Sequence, residues 1–165
     1  MFSAYTYLAG FLQIVAGFNG AQTAVALFGF GTAGLFGNLI AGWAGDRAIM
    51  MATAALAILL ALTNAMASLV GGQIEWLIPL LAAWGGAHGA AFVLCQVRVM
   101  RAGARAPAFA LSLNIAACNL GIALGAVVGG FIVTRFGLTA IGYGGAVLAF
   151  LALAVALTVR MTRKL

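Results

Sequence analysis

The stretch GNLIAGWAGDR, residues 37–47, ends one apolar run with an Asp-Arg pair and leads into a second apolar run. Each of these runs is close to the about 20 apolar residues that a helix needs to cross the hydrocarbon core of a bilayer. Charged side chains between two such runs belong at a membrane surface, where Arg47 can anchor at the lipid headgroups and Asp46 can cap the next helix. This turn therefore decides on which side of a membrane each later loop lies.

The composition excludes a soluble protein. Of the 165 residues, 65% are hydrophobic and only 6% are charged, whereas a soluble domain carries roughly 25% charged residues. The formal net charge is +6, but the eight Lys and Arg residues stand singly at the ends of apolar runs and form no basic face for nucleic acid. We therefore expect an all-α, multi-pass membrane protein that contacts the lipid bilayer and no nucleic acid.

Charges and Gly/Pro clusters divide the chain into six apolar spans. In chain order, spans a to f cover about residues 2–18, 21–44, 48–70, 74–100, 108–134 and 138–159. Alternating sides along these spans places every cation except Arg135 on one face of the membrane. Because loops rich in Lys and Arg stay in the cytoplasm, both termini are expected to be cytoplasmic.

A weak internal repeat relates the two halves of the chain at an offset of 88 residues. Two glycines and an arginine recur with the same spacing: Gly37, Gly42 and Arg47 in span b, and Gly125, Gly130 and Arg135 in span e. Three spans separate the copies, and an odd number inverts the second copy, as in many secondary transporters. We expect one bundle built of two inverted three-helix repeats, over about residues 1–70 and 74–159.

Span a is shorter than the repeat predicts. It has about 17 residues, or roughly 26 Å of helix, whereas its counterpart, span d, has about 27. Either Met1 begins a helix that barely crosses the membrane, or Met1 is an internal methionine of a longer protein. Tyr5 and Thr6 are interfacial in the first case, and in the second they lie deeper and face a cavity.

Small residues at four-residue spacing form one ridge on span b and another on span e. The ridges consist of Ala33, Gly37, Ala41 and Gly45, and of Ala117, Gly121, Gly125 and Gly129. Because small residues let helix backbones approach closely in a membrane, both ridges are expected to contact other helices and to pair with a second six-helix bundle. Spans c and f contain little polarity and are expected to face lipid.

His88 is the only histidine of the chain and lies near the middle of span d. Ionisable side chains at membrane depth are costly and therefore mark functional sites by default. With an ordinary pKa of about 6.5, an imidazole can shuttle protons, or it can simply hydrogen-bond a substrate. The structural alternative is a neutral imidazole that bonds a neighbouring helix.

Four amide side chains also lie at membrane depth: Gln13 in span a, Gln96 in span d, and Asn114 and Asn119 in span e. Each can line a polar cavity or bridge two helices, a contact worth about 1 kcal/mol or less in a membrane. We favour the cavity for Gln96 and helix bridging for the two Asn side chains. These amides join His88 and the Tyr5-Thr6 pair as candidates for contact with a substrate.

Nothing in the sequence resembles a catalytic or metal site. One histidine, two widely separated acids and two cysteines provide neither a nucleophile with a base nor enough metal ligands. Cys95 and Cys118 fall inside apolar runs, where a cysteine behaves as a small buried hydrophobe. We expect no enzyme activity, no cofactor and no metal.

Residues 42–47, GWAGDR, resemble the G-x-x-x-D-R core of the loop motif of the major facilitator superfamily. The resemblance continues in family order over FSAYTYLAGFL at 2–12, Trp84-Gly85 with Gln96, and SLNIAACNLGIALGAVVGG at 112–130. Together these stretches are similar to the C-terminal six-helix half of bacterial drug:proton antiporters of the arabinose efflux permease type. The chain departs from the family at 48–51, where AIMM replaces the Gly-Arg-Lys end of the loop motif.

The resemblance implies that spans a and d line a central cavity, that b and e contact the other half, and that c and f lie outside. It also implies an inner-membrane location, a latch of Gly42, Asp46 and Arg47 against the other half, and expulsion of small organic molecules by the proton gradient. No acid lies at mid-membrane in this sequence. A proton carrier within this chain would therefore be His88.

Two functional hypotheses follow. The first is a half-size unit of a proton-coupled efflux transporter, paired with an identical copy or with a separate N-terminal half, because alternating access needs two bundles around a midplane site. The second is a truncated remnant without transport activity, or a subunit that binds another membrane protein through the same glycine ridges.

Overall fold

A computed structural model describes residues 2–162, without the side chains at 44, 46 and 160–162. Its α-helices are α1 (Phe2–Thr6), α2 (Leu8–Ile14), α3 (Gly20–Val70), α4 (Ile74–Ala102), α5 (Pro107–Phe136) and α6 (Ile141–Thr162), with a 3-10 turn at Leu138–Ala140. The described residues contain no strand. Five segments of these helices are long and apolar enough to cross a membrane, which agrees with the predicted all-α membrane class.

The long helix α3 contains two of these spans, the arms α3N (Gly20–Trp43) and α3C (Arg47–Val70). They meet at Ala48, whose φ of −153° and ψ of 63° lie outside the helical region. In a straight helix Ala41 and Leu56 would be about 22 Å apart, yet both pack in one small cluster with Leu94 of α4. The predicted turn between spans b and c is therefore a kink that folds the two arms back toward each other.

Span a is not the single helix over 2–18 that the sequence predicted. The helix breaks at Tyr7, whose N–H bonds the Ala4 carbonyl three residues back at 3.2 Å, so the backbone tightens there and α-helical bonding is interrupted. Across this break the Tyr7 hydroxyl donates to the Ala126 carbonyl of α5 at 2.9 Å. Neither α1 nor α2 alone has the length of a membrane span.

Glycines bring the helices together in pairs. A Cβ on Gly37 of α3N would overlap the Gly86 backbone of α4, and one on Gly125 of α5 would lie 3.1 Å from the Ser3 nitrogen of α1. On α6, a Cβ on Gly142 would overlap the carbonyl of Asn64 in α3C. The bundle thus combines α3N with α4, α5 with α1, and α3C with α6, at the short distances that glycine permits.

The ridge on span b has a different partner from the one expected. Gly37, Ala41 and Gly45 are buried, because α4 of the same chain covers them, so this ridge does not present a surface to a second bundle. On span e the ridge is divided: Gly129 is buried against α1, whereas Gly121 meets nothing within 4 Å.

The exposure of the spans also differs from the expectation for c and f. The most apolar stretches of α3C and α6 are 22% and 28% buried, compared with 17% for α3N and 6% for α5. Spans c and f are therefore not the most exposed helices, since they pack on each other around Asn64. The most exposed span is α5.

Candidate functional site

The imidazole of His88 and four aromatic rings, together from three helices, form what we call the His88 cluster: Phe2, Tyr5, Phe30, Trp84 and His88. The His88 ring stacks on Tyr5 with centroids 5.2 Å apart and an interplanar angle of 29°. Phe2 meets the same imidazole edge-on at 5.0 Å, and Phe30 lies 5.9 Å from it. Phe30 in turn contacts Tyr5 at 5.5 Å and Trp84 edge-on at 5.4 Å.

The positions of these rings follow from the periodicity of the helices. Trp84 and His88 are four residues apart on α4, and Phe2 and Tyr5 are three apart on α1, so each pair projects from one face of its helix. Beside them, Gly85 of α4 sits against the Phe30 backbone, where a Cβ would overlap the carbonyl oxygen. The glycine thus lets α3N come close enough for its aromatic ring to reach the imidazole.

The cluster is enclosed on one side and open on the other. Trp84 and Phe30 are 3% and 6% exposed, whereas Tyr5 keeps 43% of its surface exposed. The Trp84 Nε1 and His88 Nδ1 atoms are buried without a hydrogen-bond partner among the described residues. Buried polar atoms normally have a partner, so these two nitrogens are available to a polar group of a bound molecule while the rings hold its apolar part.

Of the predicted substrate-contacting residues, the structure brings Tyr5 and His88 together. The Thr6 hydroxyl donates to the Phe2 carbonyl of its own helix at 2.8 Å, and Gln13 is exposed near the end of α2. Gln96 is half-buried two turns beyond the imidazole on α4. Gln13 and Gln96 make no described contact with the cluster, and Thr6 contacts it only through the Phe2 backbone carbonyl.

The two asparagines of α5 have different surroundings. Asn114 is buried and accepts a weak hydrogen bond from Cys95 Sγ of α4 at 3.6 Å, which links the two helices. Its Nδ2 atom has no partner among the described residues. Asn119 is exposed. The two side chains therefore do not form one polar wall.

The loop motif lies at the junction of the two α3 arms. The Arg47 guanidinium stacks over the Trp43 ring at 4.1 Å and donates to the Trp43 carbonyl at 3.4 Å. Arg101 of α4 donates to the Gly45 carbonyl at 3.1 Å. Gly42 is exposed, and the Asp46 side chain lies outside the described part of the chain. Arg47 is thus held against its own helix by a cation–π contact.

Sequence reasoning missed a second group of buried polar side chains. Asn64 and Ser68 are one turn apart on α3C, and Ser3 is buried on α1. Asn64 Nδ2 donates to the Leu60 carbonyl at 2.7 Å, but Asn64 Oδ1 and both serine hydroxyls have no partner within the described residues. The signal in the sequence was the four-residue spacing of Asn64 and Ser68, which puts both on one face of an otherwise apolar span.

Asn38 on α3N is another polar residue that the sequence did not single out. With its amide nitrogen turned toward α4, it donates to the Gly89 carbonyl at 2.8 Å and to the Gly34 carbonyl of its own helix at 3.2 Å. The bond to Gly89 joins α3N to α4 at the residue that follows His88 and helps to fix the geometry of the cluster.

Comparison with known proteins finds relatives, among them a transport protein. Over 159 residues the chain is 33% identical to the inner membrane transport protein YdhP of Escherichia coli O157:H7. This chain resembles a transport protein. The match covers 93% of this chain but only 40% of the relative. The name of this relative, a transport protein, agrees with the expectation that the chain is not an enzyme.

No protein-family model and no solved structure matches the chain.

Proposed function

We propose that the chain is one half of a two-bundle transporter of the major facilitator type that exports small organic molecules in exchange for protons. The observation that carries this proposal is the His88 cluster, midway along α4, with Tyr5 stacked on the imidazole and still 43% exposed. Mostly apolar and aromatic walls with a few polar groups are typical of sites for small organic ligands. The similarity to a transport protein supports the same function.

The helix packing supports two inverted repeats. Gly37 of α3N contacts α4, and Gly125, 88 residues later, contacts α1. Ala41 and Gly129, the next members of the two ridges, are both buried. If α1 to α3C form the first repeat and α4 to α6 the second, each repeat packs its middle helix on the first helix of the other. Inverted repeats related by a two-fold axis produce this reciprocal packing, and the α1–α2 segment then serves as the sixth span.

The exposed face of α5 is the surface that we propose for the second bundle. It is the least buried span, and its ridge is open at Gly121, where a Cβ would meet nothing within 4 Å. Alternating access needs two bundles that rock around one site. The partner is therefore a second copy of this chain or a separate N-terminal half.

His88 is the proposed proton carrier. The acids of the sequence stand at helix ends, Glu75 in the first turn of α4 and Asp46 next to the α3 kink. The two ring nitrogens of an imidazole can accept and donate a proton. Because the same ring contacts Tyr5, protonation of His88 and occupation of the cluster by a substrate affect each other, as coupled exchange requires.

Export of ethidium, a small flat aromatic probe, from cells without their own efflux pumps tests this proposal. Tyr5→Ala should lower the export rate roughly 2- to 12-fold, because an aromatic pair contributes about 0.5–1.5 kcal/mol. Tyr143→Ala is the matched control, since Tyr143 of α6 is 45% exposed and makes no described ring contact. Equal losses in both variants would contradict a role of the cluster in transport.

The rival hypothesis is a non-transporting remnant or interaction subunit, and the interrupted first span favours it. The mass of the purified chain in nanodiscs separates the two. A dimer with ethidium export supports a transporter of two identical copies. A chain that neither dimerises nor exports ethidium when a separate N-terminal half is expressed with it supports the rival.

A further inference from the structure

A second cavity lies between α3C, α4 and α6 and shares no residue with the His88 cluster. Its volume is about 210 Å³, below the roughly 300–1,000 Å³ of pockets that enclose a whole drug-sized ligand, so it can hold only a single narrow chain. Leucines from all three helices line it: Leu56, Leu60, Leu94, Leu148 and Leu153. The space is therefore suited to an apolar chain.

Arg98 of α4 is the charged residue among the described residues that line this cavity. The side chain is half-buried, and no described residue provides a hydrogen-bond acceptor for it. A guanidinium keeps its charge in proteins and presents five N–H donors. A partly buried charge without a partner is costly, so this position favours an anionic ligand.

The polarity of the cavity changes along α4. Ala91, Leu94 and Cys95 line it on the same helical face as Arg98, one to two turns nearer the middle of the helix. An arginine near a helix end can also extend to the headgroups by itself. Here, however, the same arginine closes one end of an apolar space, an arrangement that matches a molecule with an anionic head and an alkyl tail.

The end of the bundle that carries Arg98 is strongly cationic. Arg101 lies one turn further along α4 and donates to the Gly45 carbonyl at the α3 junction, two residues from Arg47. Basic side chains at a membrane surface attract anionic lipids. An anionic amphiphile is thus concentrated at the end from which its head can reach Arg98.

We propose that this cavity binds one anionic amphiphile, with its head on Arg98 and its alkyl tail between α3C, α4 and α6. A free fatty carboxylate and an anionic phospholipid of the bilayer both have this chemistry. The site does not depend on the proposed transport function, because it uses different residues and its test measures binding alone.

Radiolabelled dodecanoate is the probe, with the full chain in nanodiscs of phosphatidylcholine, a lipid without net charge. We expect one dodecanoate per chain and no competition from dodecyltrimethylammonium, which has the same tail and a cationic head. Arg98→Gln should weaken binding about tenfold or more, since it removes the charge-assisted bonds to the head. Arg135→Gln, at an exposed arginine near the end of α5, is the control and should bind normally.

A second pair of variants tests the tail. Ala152→Phe fills the cavity that Ala152 lines and should abolish binding, whereas Ala154→Phe, exposed two residues along α6 and outside the cavity, should not. Every variant is first checked for monodisperse elution, and the arginine pair decides the result if Ala152→Phe does not fold. Equal binding by Arg98→Gln and Arg135→Gln, or competition by the cationic probe, overturns the proposal.

The two sources of the amphiphile are distinguished in nanodiscs that contain phosphatidylglycerol, by native mass spectrometry. One phosphatidylglycerol per chain that dodecanoate does not displace identifies a bilayer lipid as the ligand. Displacement by dodecanoate identifies the free carboxylate. Both results depend on Arg98 if the proposal is correct.

Discussion

Two glycines of the same helix show that the effect of a substitution depends on which atoms face that residue. A Cβ on Gly37 would overlap the Gly86 backbone of α4, whereas a Cβ on Gly42 would meet nothing within 4 Å. Both belong to the same short stretch, so their spacing alone does not distinguish them. The close approach of α3N and α4 therefore depends on Gly37 itself and not on the number of glycines in the stretch.

We expect Gly37→Leu to lower the free energy of unfolding by about 3 kcal/mol, because backbone carbonyls cannot move aside as a side chain can and the helices must separate. Gly42→Leu should be neutral or slightly stabilising, since replacement of an exposed helical glycine gains up to about 1 kcal/mol. Unfolding by SDS in dodecyl maltoside micelles measures both. The interpretation of Gly37 is wrong if the two variants unfold at the same SDS fraction.

At the candidate site, the sequence identified His88 and Tyr5 but not the other rings around the imidazole. His88 stands out because a histidine is unusual at membrane depth. Phe30 and Trp84 do not, since aromatic residues are common in apolar spans and only the packing of α3N on α4 brings them to the imidazole. Asn64 was missed for a related reason, since the average hydropathy of span c conceals the polar residues on one of its faces.

At the scale of elements, the hydroxyl of Tyr7 fastens α1 to α5 across the break in the first span. We expect Tyr7→Phe to destabilise the chain by about 0.6 kcal/mol, the average for a hydrogen bond between membrane helices, while the ring stays packed. Tyr143→Phe should change nothing, because that tyrosine is exposed and has no described hydrogen bond. The same SDS unfolding measures both variants. If the unfolding curve of Tyr7→Phe coincides with that of the unmodified chain, the hydrogen bond does not stabilise the packing of α1 on α5.

The sequence predicted five of the spans to within a few residues at most ends, because a long apolar run in a membrane has helix as its only low-energy backbone. It did not predict the break at Tyr7, and between spans b and c it predicted a turn at residues 45–47 where the structure has a kink at Ala48 within one helix. Neither position has a proline, the usual sequence signal for such a break. In both cases contacts with residues distant in sequence determine the backbone conformation. Tyr7 contacts α5, and the residues around Ala48 contact α4.

For the whole molecule, the structure decides which residue of the ridge on span e can test pairing with a second bundle. Gly125 is a poor choice, because a Cβ there lies 3.1 Å from the Ser3 nitrogen and disturbs α1 within the chain. Gly121 lies one turn away on the same ridge and faces open space. A substitution at Gly121 therefore changes the exposed surface of α5 without changing the bundle beneath it.

We expect Gly121→Leu to leave SDS unfolding unchanged and to abolish ethidium export, because a leucine in the open ridge holds the second bundle away from α5. If the partner is a second copy, the mass in nanodiscs should fall from a dimer to a monomer. Ala154→Leu adds comparable bulk to an exposed position of α6 and should keep both mass and export. A Gly121→Leu chain that exports ethidium at the unmodified rate would show that the second bundle contacts another face.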